Sequence, residues 1–261
     1  MSKHADGSYS SAWRRLTKIV VPPLLSLFTK HEWHGQENIK NVSSDSGVIL
    51  AANHLSYADP LPLCLFTHRA GRYPVFLAKS SLFEMKGLGT IMRGTGQLPV
   101  YRGQADAALV LRDVEQGLRD GACVIFYPEG TATRDPDLWP MVARTGVARA
   151  ALATGVPVIP VAQWGAQKIL PYGSMRPHLV PRHLVQLTAG PPVDLSAFQG
   201  KPLTTQTLRE ATEVIMKDIT GLLAGIRGET PPAEPYHPAI ARRKARQAQR
   251  AADPGGEATP T

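Results

Sequence analysis

Two short blocks bring together residue types that do chemistry on a hydroxyl or a carbonyl. The first is Asn53-His54-Leu55-Ser56-Tyr57-Ala58-Asp59, directly after the apolar run 47–52. A spacing of five does not align His54 and Asp59 on a regular helix. They meet if His54 lies in a strand-to-helix turn and Asp59 in the first helical turn. Asp59 then accepts a hydrogen bond from one ring nitrogen, leaving the other as a base toward a substrate hydroxyl. A purely local alternative also stands: Ser56 caps the following helix, Asp59 completes a capping box, and His54 is incidental.

The second block is Phe126-Tyr127-Pro128-Glu129-Gly130-Thr131. A carboxylate after a buried strand can orient a polar substrate by accepting its hydroxyl hydrogen bonds. Backbone N–H groups at such a turn can receive phosphate or oxyanion charge. The bland alternative is a tight turn with an exposed glutamate. Lys79, Arg102 and Arg144 are candidate phosphate clamps. Lys79 and Arg102 each follow a predicted strand, which would gather them on one sheet edge. An arginine there grips phosphate bidentately, although each cation alone is more often an ordinary surface residue.

The elements that must position these groups follow from the apolar pattern. Strands are expected at 48–51, 73–78, 97–101, 121–127, 156–162 and 184–187. Helices are expected at 12–30, bent at Pro22-Pro23, and at 60–66, 80–92, 106–119, 142–153 and 203–223. Pro157 and Pro160 argue for an irregular or edge strand. Alternation of strand and helix, with strands apolar throughout, predicts an α/β domain with a largely parallel central sheet flanked by helices.

Charge and composition narrow the partners. The net charge is +8, with 29 Lys and Arg against 21 Asp and Glu, which favours an anionic partner. Residues 1–11 are expected to be disordered. Residues 12–35 carry Trp13, Arg14, Arg15 and Lys18 beside apolar bulk, which suits an amphipathic helical segment docking on an anionic membrane surface. The apolar stretch is too short to span. Residues 36–228 form the expected catalytic domain, and 229–261 a Pro-rich, basic, disordered tail. Cys64 and Cys123 read as buried free thiols. The sequence has no Gly-rich nucleotide loop, nucleophile elbow or zinc spacing, and no metal or cofactor is expected. The tail has no interleaved aromatics, so nucleic acid is not an expected partner.

These residues resemble the glycerolipid acyltransferase family, of the bacterial lysophosphatidic acid acyltransferase type, over about residues 12–220. The Asn-His-four-residues-Asp motif is 53–59. A glycine-started strand ending in arginine is Gly96 to Arg102. The family's Phe-Pro-Glu-Gly-Thr-Arg-Ser motif reads Tyr127-Pro128-Glu129-Gly130-Thr131-Ala132-Thr133. Its Val-Pro-Ile-Val-Pro-like strand is Val156 to Val161. The resemblance implies that His54, held by Asp59, deprotonates an acceptor hydroxyl that attacks the thioester of acyl-CoA or acyl carrier protein, with no acyl-enzyme. It implies that Arg102 binds the acceptor phosphate, with Lys79 and Arg144 near it. Glu129, Gly130 and Thr131 would place the glycerol of a lysophospholipid acceptor. Asn53, Ser56, Pro128, Pro157 and Pro160 complete the motifs. The implied product is phosphatidic acid, and the implied location is the cytoplasmic face of the cell membrane, peripheral or monotopic. A glycolipid or other membrane alcohol is the alternative acceptor, and a non-catalytic lipid-binding protein the alternative class. Ala132 stands where the family has arginine, with Arg134 two positions on, and Tyr127 stands for phenylalanine.

Overall fold

The computed structural model describes residues 11–101, 104–174, 176–243 and 247. The chain opens with α1 (Ser11–Phe28), β1 (Thr29–His34), α2 (Gln36–Lys40) and β2 (Val48–Ala52). Next come α3 (Pro60–Arg69), β3 (Pro74–Lys79), α4 (Ser80–Glu84), α5 (Leu88–Gly94), β4 (Leu98–Val100), α6 (Gln104–Arg119) and β5 (Cys123–Phe126). The chain then forms α7 (Gly146–Thr154), β6 (Val158–Trp164), α8 (Ala166–Ile169), β7 (His183–Ala189) and α9 (Thr205–Arg227).

The strands form one sheet in the order β1-β7-β6-β2-β5-β3-β4. All neighbours are parallel except β6 and β7, which are antiparallel. The expected α/β class with a largely parallel sheet is what the chain adopts. β2 is apolar at every position because both faces are covered. Ile49 and Ala51 pack toward Val147, Leu208 and Ile215 of α7 and α9. Val48, Leu50 and Ala52 pack toward Ile39, Leu63 and Phe66 of α2 and α3.

Several boundaries differ from expectation. The N-terminal helix stops at Phe28, and 29–34 form an edge strand rather than continuing a helical segment to 35. Exposed Lys30, Glu32 and His34 alternate there with the more buried Thr29, His31 and Trp33, and Trp33 packs edge-on to Phe66 at 5.7 Å while Arg69 lies 4.8 Å from its ring. β6 is internal, not an edge, despite Pro157 and Pro160. The Pro160 carbonyl accepts from the Gly190 N–H at 2.9 Å. Its missing N–H therefore faces the same side, where β7 has already ended. The helix expected at 80–92 is split at Gly87, whose φ is +78°. The helix expected from 142 begins at 146, because Val142 donates to the Tyr236 carbonyl at 3.0 Å. Tyr236 also bridges Met141, and 238–243 are helical, so structure continues beyond residue 229. Residues 1–10, 244–246 and 248–261 lie outside the described residues.

Trp13 of α1 packs against the domain. A Cβ on Gly94 would come within 2.5 Å of the Trp13 ring, so the indole packs on α5. Gly94→Ala is expected to push Trp13 out and loosen the start of α1, at about 1–3 kcal/mol. A lower Tm and faster tryptic cleavage at Arg15 would register this; an unchanged Tm and cleavage rate would not fit the packing.

Candidate active site

Strands β2, β3, β5 and β6 run parallel, so their carboxyl ends share one edge of the sheet. β2 delivers Asn53 and His54 there, β5 delivers Tyr127 to Thr131, and β3 ends at Lys79. His54 Nδ1 lies 2.8 Å from Asp59 Oδ2. The Asp59 side chain is fully buried, while that of His54 is 13% exposed. The same Asp59 oxygen accepts from the backbone N–H groups of Leu55 at 2.6 Å and Ser56 at 2.8 Å. With Asp59 Oδ2 as the acceptor, the matching His54 tautomer carries its hydrogen on Nδ1. Nε2, which makes no hydrogen bond among the described residues, is then the free base.

The local capping interactions form alongside the His54 contact: the Asp59 carboxylate accepts the Ser56 N–H at 2.8 Å, as in a capping box. Ser56 Oγ accepts from Ala58 N at 3.0 Å and donates to the Leu170 carbonyl at 2.6 Å. Asp59 Oδ2 takes the bonds from His54, Leu55 and Ser56, while Oδ1 is buried without a partner among the described residues, and α3 starts with Pro60 at its first position. Asn53 clamps the loop from below. It forms a reciprocal pair with Gln163 of β6: Asn53 Nδ2 to Gln163 O at 3.1 Å, Gln163 N to Asn53 Oδ1 at 2.8 Å, and Gln163 Nε2 to Asn53 O at 2.7 Å.

Glu129 takes a different place from that expected of an acceptor ligand. Its side chain points inward, and the residue is 4% exposed. Oε1 accepts the His54 N–H at 3.0 Å, and Oε2 accepts the Met141 N–H at 2.9 Å. The carboxyl group thus ties the His54 loop to residues 139–141. Burial pushes its pKa up to about 8, against the pull of the two N–H bonds, and Asp59 and Asp135 add to the rise. The next residue, Gly130, has φ +73° and lies under the Arg144 side chain; a Cβ there would come 3.0 Å from Arg144 Nε. Arg144 therefore stands at this turn and is exposed, as is Lys79 at the end of β3. Arg102 lies outside the described residues.

The comparisons with known proteins place this arrangement. A family model described as acyltransferase matches residues 30–164, from β1 to the end of β6. The chain belongs to the acyltransferase family. A chloroplastic 1-acyl-sn-glycerol-3-phosphate acyltransferase of Brassica napus is 33% identical over 151 residues, covering 56% of this chain and 41% of that protein. The 1-acyl-sn-glycerol-3-phosphate acyltransferase of Bacillus subtilis is 24% identical over 188 residues, covering 71% of this chain and 85% of that one. The crystal structure of the 1-acyl-sn-glycerophosphate acyltransferase PlsC from Thermotoga maritima aligns with a TM-score of 0.57 at 26% identity, over 81% of this chain and 83% of that one. The chain spans about half the length, or less, of the plant and algal relatives it matches.

Within this acyltransferase domain, sequence reasoning missed two residues that shape the base. Gln163 carries no motif signal, and only the pairing of β2 with β6 brings it to Asn53. Tyr127 stacks on the His54 imidazole, with ring centroids 4.2 Å apart and planes 18° from parallel. Its phenol oxygen is buried, and burial first, then Asp59, raises its pKa well above the ordinary value. The thiols are equally unreactive: burial pushes both Cys64 and Cys123 up to about 12. Neither is available as a thiolate near neutral pH. Among the described residues no group of three His, Cys, Asp or Glu side chains is placed to hold a metal ion.

Proposed function

We propose that the protein transfers an acyl chain from an acyl thioester, acyl-CoA or acyl carrier protein, to the free hydroxyl of an acylglycerol 3-phosphate, forming phosphatidic acid. The observation that carries this is the 2.8 Å pairing of His54 Nδ1 with a buried Asp59, which leaves Nε2 as base at the carboxyl edge of the sheet. Nε2 takes the acceptor proton as the hydroxyl oxygen attacks the thioester carbonyl. The tetrahedral adduct collapses with loss of thiolate, which the imidazolium protonates. Direct attack by the acceptor is favoured because the two thiols are held protonated and Ser56 Oγ is engaged on both sides. No metal or prosthetic group enters these steps.

The acceptor is a membrane lipid, and α1 supplies a docking face. Leu16, Ile19, Val20 and Leu27 are exposed, with Ile19 at 71% and Leu27 at 63%. With exposed Pro23 they form a stripe at helical spacing on the outer side of α1. Such a stripe, on a chain of net charge +8, suits an anionic surface. No helix among the described residues is long and apolar enough to cross a membrane. Attachment is proposed as peripheral, on the cytoplasmic face, where acyl thioesters are supplied.

The test is product identification by mass spectrometry with palmitoyl-CoA and a panel of acceptors in vesicles. Phosphatidic acid from lysophosphatidic acid is expected, at a rate well above that with monoacylglycerol or a glycolipid. Preferred acylation of a glycolipid would replace the acceptor assignment. Vesicle binding without any ester product would make the protein a non-catalytic lipid binder.

A further inference from the structure

Arg227, far from the reacting pair in sequence, buries a cation against the loop that supports it. It is the last residue of α9, and its side chain is 8% exposed. The guanidinium carbon lies 4.1 Å from the Trp139 ring centroid and 4.6 Å from that of Trp164. Nη1 donates to the Asp137 carbonyl at 2.8 Å, and Nη2 pairs with the exposed carboxylate of Glu229. Nε is buried with no partner among the described residues. A cation that merely complements a helix end stays in water. Here two ring faces and a carbonyl replace lost hydration, which binds α9 to the loop after β5.

That loop holds both backbone groups of His54. The Trp139 carbonyl accepts Thr133 Oγ1 at 2.7 Å, and Thr133 N donates to the His54 carbonyl at 2.7 Å. Met141 N donates to Glu129 Oε2, while Glu129 Oε1 accepts the His54 N–H. Within the loop, Asp135 Oδ1 accepts the N–H groups of Asp137 at 2.8 Å and Trp139 at 3.3 Å. Leu138 holds φ +63°, a left-handed conformation that a residue with a Cβ keeps only when its surroundings impose it. Arg227 grips the chain on both sides of Leu138, at the Asp137 carbonyl and the Trp139 ring. Trp164 gives the guanidinium a fixed seat, because it ends β6 next to Gln163, which is clamped to Asn53.

We propose that Arg227 is a positioning residue for acyl transfer, acting through Trp139 and the 131–141 loop to keep the His54 ring in place beside Asp59. Its kinetic test rests on the function proposed above, whereas a spectroscopic test of the ring does not.

Full-length wild type, Arg227→Lys, Arg227→Gln and Arg227→Ala are assayed well below each Tm, with palmitoyl-CoA and lysophosphatidic acid varied independently. The kcat of Arg227→Ala is expected to fall about 10- to 100-fold, the scale of a misplaced catalytic group, with each KM within about 3-fold of wild type. Arg227→Lys keeps the charge but not the plane, and is expected to recover only part of the rate. Guanidinium ion, added far below denaturing concentration, is expected to refill the gap in Arg227→Ala and raise its kcat, where sodium chloride of equal ionic strength does not. NMR of isotope-labelled histidine nitrogens, with the His54 signal identified by its loss in His54→Gln, reads the ring without substrate. Wild type is expected to show the Nδ1-protonated tautomer, and Arg227→Ala a shift toward the average of the two tautomers. A folded Arg227→Ala with wild-type kcat, or with an unchanged His54 tautomer, overturns the proposal. So does a loss confined to KM, or a rescue by sodium chloride as large as that by guanidinium. If Arg227→Ala does not fold, the same readings on Arg227→Lys and Arg227→Gln decide. Wild type that makes no ester would sink the proposed function alone, because the NMR comparison still decides the positioning role.

Discussion

His54→Ala is expected to lower kcat for acyl transfer by about 10³-fold while the protein stays folded, because it removes the general base but no buried hydrogen bond other than that to Asp59. Asp59→Asn is expected to cost nearly as much. An asparagine oxygen still accepts from Leu55 and Ser56 N–H, so the loop survives. The lost charge, however, no longer holds the Nδ1-protonated tautomer or stabilises the imidazolium. Since the two residues act as one unit, the double variant is expected to be no slower than His54→Ala alone. Steady-state rates of the three variants, with Tm beside them, check this. Additive losses would mean that Asp59 works independently of His54.

Glu129→Ala carries the second large effect, and it falls on both stability and rate. Removing the carboxyl leaves the His54 and Met141 N–H groups without their partners. Each buried orphan costs about 1–3 kcal/mol, so a loss of about 3 kcal/mol is expected, seen as a lower Tm and denaturant midpoint. His54 also loses its backbone anchor, and kcat is expected to fall about 10- to 100-fold through misplacement. The pH dependence has a definite sign. The Glu129 pKa rises from 4.5 to about 8 on folding. Between these values the folded state keeps a proton that the unfolded state has released, so this group's contribution to stability is full below about 4.5 and declines as pH rises through about 8. Glutamine does not titrate and mimics the neutral acid, so the Tm of wild type relative to Glu129→Gln is expected to fall from pH 5 to pH 8. A wild-type Tm that holds constant or rises relative to that of Glu129→Gln over this range would contradict it.

The reacting pair was legible because its signal is local. A strand, a turn and a helix start occupy 48–60 without interruption, and the five-residue spacing lets one carboxylate meet the ring. The parallel sheet was legible for a similar reason: strands covered on both faces must be apolar at every position. What the one-dimensional pattern does not carry is direction and neighbourhood. A glutamate after a buried strand is the same letter whether it faces substrate or the backbone beneath, and here it faces His54 N and Met141 N. Gln163 becomes Asn53's partner only through strand pairing 110 residues apart. β1 was hidden because its charged residues alternate along an edge, and the β6 prolines suggested an edge because their compatibility depends on where β7 ends. The capping box fits the letters Ser56 and Asp59, and the carboxylate does accept the Ser56 N–H, but the same oxygen also binds the imidazole, so the two readings coexist.

The central claim is that the acceptor hydroxyl, activated by His54, attacks the thioester directly. The most direct measurement follows thiol release from palmitoyl-CoA in a stopped-flow instrument at enzyme concentrations near that of substrate, first without acceptor and then with lysophosphatidic acid. No burst is expected without acceptor, and thiol is expected to be released one-for-one with ester once acceptor is present. A burst stoichiometric with enzyme in the absence of acceptor would reveal an acyl-enzyme and contradict it.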